Sequence, residues 1–224
     1  LLMGPFGSIR PAGAPAGLAA EAADRAFAEM ARLEALLTRH DASSPLGQLN
    51  ARGSLRDAPA ELLAVADASA AVRRLTRGAF DPTVLPVLEG MRRGAEGAEL
   101  ASLRELVGLD RVARNGRGIT FGRSGMAMSL DGIAKGWIAD AGARVLSAAG
   151  ITGFLLDAGG DIVARGTRAD GRPWRAAVEN PRRYLGETAY PAACSLSGRA
   201  LATSGDYEAL AGTGGSHIID PSGR

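Results

Sequence analysis

The stretch from residue 126 to residue 145 constrains the fold of this chain more than any other. Its apolar residues recur every four positions, at Ile133, Trp137, Ala141 and Val145. This spacing predicts one buried helical stripe. Residues 126–130 just before it have the character of a strand end, and Gly132 stands where that strand would turn into the helix. We therefore predict a strand, a glycine turn and a helix in succession.

Lys135 lies in the first turn of the predicted helix, and it is the only lysine of the chain. The N-terminus of a helix already carries partial positive charge, so a cation there is mildly unfavourable unless an anion is bound beside it. Backbone N–H groups of a glycine-rich turn, together with one lysine, suit a phosphate. The alternative is a solvated surface lysine, and the motif alone does not decide between the two.

Length and composition bound the classes of protein that remain. The 224 residues, 46% of them hydrophobic, suffice for one large domain or two small ones, and no linker demands two. The net charge is +2, with no basic block interleaved with aromatic residues, which argues against a nucleic-acid surface. Cys194 is the single cysteine, so an internal disulfide is excluded. No stretch reaches the roughly 20 apolar residues of a membrane span.

Helices and strands are predicted in blocks without a regular strand–helix–strand rhythm. The predicted helices cover residues 18–37, 59–76 and 100–107, besides the helix of Lys135. The predicted strands cover residues 2–10, 111–114, 118–121, 154–158, 161–164, 174–179 and 192–196, and residues 40–50 are a predicted polar loop. Gly159 and Gly160 between two of the strands signal a hairpin. The fold class that this order predicts is α+β.

His40 and His217 are the only histidines of the sequence, and His217 is the candidate for proton transfer. Glycines precede His217 and Asp220 follows it, which favours an open, oriented imidazole with a pKa suited to acid–base work. The alternative is a hydrogen-bonded structural histidine. A serine hydrolase using Ser204 and His217 is conceivable, but Ser204 lacks a nucleophile-elbow sequence. Walker, Rossmann, HExxH and CxxC patterns are absent from the sequence.

Three further polar motifs are ambiguous by themselves. Asp81, in the run after Gly78, either starts a turn or caps a helix. The hydroxyls of Thr203 and Ser204 either cap a helix or bind an anion. Asp161, after two glycines, is explained equally well by a hairpin turn.

The order of these motifs along the chain is more informative than any one of them. The ordered motifs are Met3-Gly4, Ser44-x-Leu46-x-x-Leu49-Asn50, Gly78-Ala79-Phe80-Asp81-Pro82-Thr83, Asp131-Gly132-Ile133-Ala134-Lys135-Gly136, Gly159-Gly160-Asp161, Pro173-Trp174, Ala202-Thr203-Ser204-Gly205-Asp206-Tyr207 and His217-Ile218-Ile219-Asp220-Pro221. In this order the chain resembles the ApbE family, the FAD:protein FMN transferases. The resemblance implies a single ApbE-like (T-fold-like) α+β domain over residues 3–224, with mixed or antiparallel sheets and packed helices.

The resemblance also implies an activity. Members of the family bind FAD and a divalent cation, usually Mg²⁺, attach FMN to a threonine or serine hydroxyl of a target flavoprotein, and release AMP. The implied base is His217, and the carbonyl of Gly132 would face the metal. The implied FAD-binding residues are Met3, His40, Ala79, Phe80, Asp81, Ser129, Asp131, Lys135, Asp161, Thr203 and Ser204, with Lys135 nearest the phosphates. Two alternatives stay open: an FAD pyrophosphatase giving FMN and AMP, and a flavin-binding or maturation protein without turnover.

Three departures from the family pattern qualify these expectations. The family has Asp-Leu-Gly-Gly where this chain has Ser129-Leu130-Asp131-Gly132, so the acidic residue has moved two places. His40 stands where the family often has a tyrosine against the flavin. The sequence stops at Arg224, before the family's C-terminal metal-binding segment. We expect the sequence to be incomplete at this end, and a crippled metal site is the alternative.

The resemblance carries expectations about partners and location as well. The expected acceptor is a flavoprotein with a target threonine, and a subunit of a membrane redox complex is one such partner. A periplasmic or membrane-associated location follows from the family, with the cytoplasm as the alternative. No signal peptide is visible, and the start at Leu1 leaves a removed export signal open.

Overall fold

The structure is a computed structural model that describes residues 7–178, 180, 189–205 and 218–221. Contacts divide the chain into two compact units. Among the described residues, the first unit consists of Leu33–Ala134 and 218–221, and the second unit consists of residues 7–32 and those between 135 and 205. Each unit is discontinuous in sequence, because the chain leaves the second unit and later returns to it.

The described helices and strands are as follows. The helices are α1 (Ala16–Leu37), α2 (Pro45–Arg52), α3 (Ala60–Leu75), α4 (Leu85–Arg92), α5 (Gly97–Arg104) and α6 (Asp131–Ala148), with single 3-10 turns at Pro82–Val84 and Leu109–Arg111. The strands are β1 (Gly7–Ala12), β2 (Ser54–Leu55), β3 (Val112–Asn115), β4 (Gly118–Phe121), β5 (Gly153–Ala158), β6 (Ile162–Arg165), β7 (Trp174–Val178), β8 (Ala192–Leu196) and β9 (Arg199–Leu201). The division between the units falls inside both α1 and α6.

The second unit is built on a four-stranded antiparallel sheet in the order β1-β5-β6-β9. On one face, Phe154 and Leu156 of β5 are fully buried. Helices α1 and α6 pack on this face, where Gly142 permits the closest approach. A Cβ at Gly142 would lie 2.6 Å from the sulfur of Met30 and 3.0 Å from a methyl group of Leu156. Glycine at this position therefore lets the two helices and the sheet meet without a gap.

The opposite face of the sheet carries a smaller core. Leu155 and Ala164 point there and pack with Trp174 and Leu196 of the two-stranded antiparallel sheet β7-β8. The indole N–H of Trp174 donates to the carbonyl of Arg165 at 2.9 Å, so its polar group is satisfied inside the cluster. The second unit thus has three layers: helices, the four-stranded sheet and the two-stranded sheet.

The first unit combines α2–α5 with a three-stranded antiparallel sheet in the order β2-β4-β3. Helix α2 begins after Ser44, whose hydroxyl accepts the N–H of Gly47 at 2.9 Å, with proline at the first helical position. It ends at Gly53, which adopts a left-handed conformation with φ of 71°. The polar loop predicted for residues 40–50 is therefore wrong over its second half, because a hydroxyl cap and a proline begin a helix there.

The segment 126–130 is not the predicted strand. Met126, Met128 and Leu130 are buried, as alternate residues of a strand would be. However, the backbone of Met128 pairs with a side chain rather than with another strand. The Asn50 amide donates to the Met128 carbonyl at 2.9 Å and accepts its N–H at 2.8 Å. One amide side chain therefore satisfies both backbone groups of Met128, and the segment belongs to none of the described sheets.

Most other predicted elements are confirmed. Helices α1, α3 and α6, the strands β4–β8 and the β5–β6 hairpin lie where the sequence patterns predict them, within one or two residues. The buried stripe predicted for α6 is wrong, however, because Ala134, Ile138 and Leu146 are the fully buried residues, whereas Ile133, Trp137 and Val145 are only half-buried. Both sets recur at helical spacing, so the spacing alone does not choose between the two faces. The helix predicted at 100–107 covers Gly97–Arg104 instead. Helix α4 and the short strands β2 and β9 were not predicted. The α+β class is confirmed. None of the described helices is long and apolar enough to cross a membrane.

Candidate functional site

The start of α6 gathers several predicted site residues in the first unit. The hydroxyl of Ser129 accepts the N–H of Asp131 at 3.2 Å, and the N–H of Ser129 donates to the carbonyl of Pro82 at 2.8 Å. Gly132 is exposed as the second residue of the helix, and a Cβ there would lie 3.2 Å from the ring of Phe80. The loop of Phe80 and the start of α6 therefore lie against each other.

Asp131 is held by an arginine that the sequence motifs did not single out. The Nε of Arg39 donates to Oδ2 of Asp131 at 2.9 Å, and a terminal nitrogen of Arg39 lies 3.7 Å from the carboxylate of Glu89. The Arg39 side chain is 7% exposed, whereas that of Asp131 is 39% exposed. The pair thus joins a buried guanidinium to a carboxylate that reaches solvent at the first residue of α6.

His40 is exposed and follows this arginine directly. Its backbone N–H donates to the hydroxyl of Thr38 at 3.2 Å. Partial desolvation lowers the pKa of His40 below its usual value, and the charges of Arg39 and Arg92 lower it further, while Asp131 opposes them. The imidazole is therefore mostly neutral at neutral pH. A neutral, exposed ring is suited to stacking on a planar ligand.

Asp81 is buried, and both of its carboxylate oxygens accept protein donors. One oxygen accepts the N–H and the hydroxyl of Thr83 at 2.9 and 2.6 Å. The other accepts Nε of Arg73 at 2.6 Å and the N–H of Leu109 at 3.2 Å. Asp81 also caps the 3-10 turn that follows it. The Asp81 carboxylate therefore fixes the loop that carries the exposed Ala79 and the half-buried Phe80.

In the second unit, Lys135 and Asp161 lie near enough to interact electrostatically. Burial raises the pKa of Asp161 above its usual value and the charge of Asp157 adds to this rise, whereas Lys135 lowers it. Asp157 has a local task as well, since its carboxylate accepts the N–H of Gly160 at 2.8 Å in the β5–β6 turn. The site thus has one ammonium beside a half-buried carboxyl that holds its proton more tightly than a solvated one.

The sheet topology brings Thr203 and Ser204 to the same end of the second unit. Strand β9 pairs with β6 so that Leu201 lies opposite Ile162, the residue after Asp161. The chain that continues past Leu201 therefore runs beside the β5–β6 turn. Thr203 and Ser204 are both exposed there, with no described helix around them. Their hydroxyls are thus accessible at the edge where Asp161 lies.

Two predicted site residues, Met3 and His217, lie outside the described residues.

The metal site that the resemblance implies was sought among the described residues. Within residues 7–178, 180, 189–205 and 218–221, no group of three or more histidine, cysteine or acidic side chains could hold a metal ion. A hard cation takes about six oxygen ligands. The carbonyl of Gly132 alone does not provide such a site.

The sequence patterns did not reveal the roles of three residues. Arg39 pairs with Asp131, Asn50 holds the backbone of Met128, and Asp157 accepts a hydrogen bond in the β5–β6 turn. Asn50 was visible inside a motif, and Arg39 stands beside a histidine of interest. Their partners, however, lie 78 and 92 positions away in sequence. Without the fold, no pattern of spacing connects them.

Comparison with known proteins places these residues in a family. A model of the ApbE family matches residues 3–223. The FAD:protein FMN transferase of Vibrio cholerae is 34% identical over 161 residues, which cover 66% of this chain and 47% of that protein. The FAD:protein FMN transferase of Escherichia coli K12 is 27% identical over 236 residues, which cover 98% of this chain and 67% of that protein.

Solved structures agree with this placement. The flavin transferase ApbE from Vibrio cholerae superposes with a TM-score of 0.77 at 27% identity, covering 97% of this chain and 73% of that chain. The apo flavinyl transferase ApbE of Pseudomonas stutzeri gives a TM-score of 0.80 at 25% identity, covering 99% and 72% of the two chains. The chain spans about half the length of the first curated relatives it matches. Because the family model matches nearly the whole sequence, the chain belongs to the ApbE family.

Proposed function

We propose that the chain binds FAD and transfers its FMN part to a threonine or serine hydroxyl of an acceptor flavoprotein, releasing AMP. The observation that carries the proposal is the group at one end of the second unit. Lys135, Asp161 and the exposed hydroxyls of Thr203 and Ser204 lie together there, in a chain that resembles proteins named FAD:protein FMN transferase. The ammonium of Lys135 and the two hydroxyls are groups that bind a pyrophosphate.

Lys135 is the residue we expect to contact the FAD phosphates. Because α6 begins at Asp131, Lys135 is the fifth residue of the helix and lies in its second turn, not in the predicted first turn. The helix dipole favours an anion at the N-terminus one turn earlier. Asp161 beside it would repel phosphate if ionised. Burial raises the pKa of Asp161, which reduces that repulsion because the carboxyl keeps its proton more readily.

The ring systems of FAD require flat apolar partners, and the first unit offers two. His40 presents a mostly neutral imidazole to solvent, and Phe80 presents its ring beside Gly132. We propose that these rings contact the flavin or the adenine. Asp81 contributes indirectly, because the hydrogen bonds to both of its oxygens fix the loop that carries Ala79 and Phe80.

The reaction itself is a phosphoryl transfer. The acceptor hydroxyl oxygen forms a bond to the phosphorus on the FMN side, the bond from that phosphorus to the bridging oxygen breaks, and AMP leaves with that oxygen. We propose that His217 takes the proton of the attacking hydroxyl. Mg²⁺ belongs to the proposal on the family resemblance alone. Among the described residues, no group of three or more histidine, cysteine or acidic side chains fits a cation.

The acceptor and the location also belong to the proposal on resemblance. We propose an acceptor flavoprotein with a target threonine, a subunit of a membrane redox complex being one such partner. A periplasmic or membrane-associated location goes with that partner, and a cytoplasmic location is the alternative.

Product analysis tests this function. The protein is incubated with FAD and Mg²⁺, with and without a threonine-bearing acceptor domain, and nucleotides and flavin are separated by chromatography. We expect AMP together with FMN bound covalently to the acceptor. Free FMN and AMP without acceptor labelling would identify a pyrophosphatase. FAD recovered intact in both reactions would contradict the proposed activity.

A further inference from the structure

The ion pair between Arg39 and Asp131 joins a largely buried arginine to the start of α6. Its guanidinium is 7% exposed, so Arg39 depends on the protein for its partners. The nearest acidic groups are Asp131, at 2.9 Å, and Glu89, at 3.7 Å. Breaking this pair would therefore leave a largely buried arginine with the Glu89 carboxylate at 3.7 Å as its remaining acidic neighbour.

The position of Asp131 gives the pair its importance. Asp131 is the first residue of α6, and its backbone N–H is held by Ser129. A carboxylate at a helix N-terminus stabilises the helix. However, its negative charge offsets the positive end of the helix dipole, which would otherwise attract an anionic ligand. An unpaired Asp131 would thus oppose a phosphate bound at the same helix start. Arg39 offsets that charge at hydrogen-bonding distance.

The ion pair also limits what the Asp131 carboxylate can bind. Nε of Arg39 donates to Oδ2 of Asp131 at 2.9 Å. The carboxylate oxygen that accepts from Nε is thereby engaged inside the protein. Asp131 is better understood as one half of an ion pair than as a free ligand for the flavin nucleotide.

We propose that Arg39 is a positioning residue for FAD binding: it holds and neutralises the Asp131 carboxylate at the start of α6, so that this end of the helix accepts the FAD phosphates. The inference rests on the proposed function. Arg39 itself acts through Asp131 and does not contact the reacting atoms.

Three variants of the full chain test the inference: Arg39→Met, Asp131→Asn and the double variant. The measurement is the dissociation constant for FAD, by fluorescence titration at low salt. We expect Arg39→Met to weaken binding about fivefold, because Asp131 is left uncompensated near the phosphates. Asp131→Asn should bind FAD as tightly as the wild type or tighter. The double variant should return to within about twofold of the wild type, since the local charge is balanced again.

These opposite signs separate positioning from a merely structural role. If the pair only stabilised the fold, both single variants would weaken FAD binding and the double variant would be no better. Raising the salt concentration should shrink the Arg39→Met defect, because the repulsion is electrostatic. Arg114→Met is the matched control: it removes an arginine that pairs with Asp67 in the same unit, outside the candidate residues. It should leave the dissociation constant unchanged.

The possible outcomes keep the two proposals apart. A wild-type protein that binds no FAD would overturn the proposed function and this inference with it. A wild-type protein that binds FAD, with an Arg39→Met variant of equal affinity, would overturn the inference alone. If Arg39→Met does not fold, Asp131→Asn decides: FAD affinity about fivefold lower than the wild type would contradict the proposed role.

Discussion

Replacing Asn50 by alanine is expected to destabilise the first unit strongly. The Asn50 amide makes hydrogen bonds of 2.9 and 2.8 Å to the carbonyl and the N–H of Met128. Met128 is fully buried, so both of its backbone groups would lose their partner in a protected environment. An unsatisfied buried polar group costs about 1–3 kcal/mol, which gives about 2–6 kcal/mol for the two. Because Asn50 is only half-buried and water can replace part of the interaction, we expect about 3 kcal/mol.

The assay is urea unfolding followed by circular dichroism, supported by thermal melts. For a chain of this length, about 3 kcal/mol corresponds to a fall in Tm of roughly 6–12 °C. Gln48→Ala is the matched control, because it removes an amide from the same helix that makes one exposed hydrogen bond, 2.8 Å to the carbonyl of Ser43. The control should lose less than about 1 kcal/mol. If the Asn50→Ala variant is no less stable than the Gln48→Ala variant, the Asn50 amide does not hold the Met128 backbone as proposed.

The other predictions concern the packing of α6, the charge of Asp161 and the proposed base. Gly142→Ala should cost about 1–3 kcal/mol in unfolding experiments, because its Cβ would lie 2.6 Å from a methionine sulfur. By contrast, Gly136→Ala in the same helix should stabilise by about 0.5–1 kcal/mol, since its Cβ would meet nothing within 4 Å. If the two variants had equal stability, the packing account would be wrong. The raised pKa of Asp161 means that the folded state prefers the protonated carboxyl. That contribution is complete below the unfolded pKa and is lost as the pH rises through the folded pKa. The stability of Asp161→Asn relative to the wild type should therefore rise from about pH 3 to about pH 7, and a constant difference across urea titrations would contradict this. His217→Ala should keep FAD bound but slow flavin transfer by at least about tenfold. Unchanged transfer in single-turnover experiments would remove His217 as the base.

Local patterns predicted the elements whose stability is local. Helices α1 and α3 carry apolar residues at helical spacing, and the β5–β6 hairpin carries its glycines at the turn, so the sequence contains the relevant information in short windows. Helix α2 was missed although Ser44 followed by Pro45 is a local start signal, since the polar residues around them led to the prediction of a loop.

Contacts distant in sequence could not be predicted in this way. Residues 126–130 have the alternating burial of a strand, yet their backbone partner is a side chain, Asn50, that lies 78 positions earlier than Met128. The same holds for Arg39, whose partner Asp131 is 92 positions away. Motif order named most candidate site residues, whereas the groups that hold them in place became visible only in the fold.

The measurement that tests the account most directly is the affinity for FAD of the wild type and of Lys135→Ala, by isothermal titration calorimetry. Lys135→Arg is the control that keeps the charge. We predict saturable binding by the wild type, affinity about tenfold or more lower in Lys135→Ala, and a smaller loss in Lys135→Arg, because one charge-assisted phosphate contact is removed only in the alanine variant. Equal affinity of all three proteins, or no FAD binding by the wild type, would contradict the placement of the FAD phosphates at the start of α6.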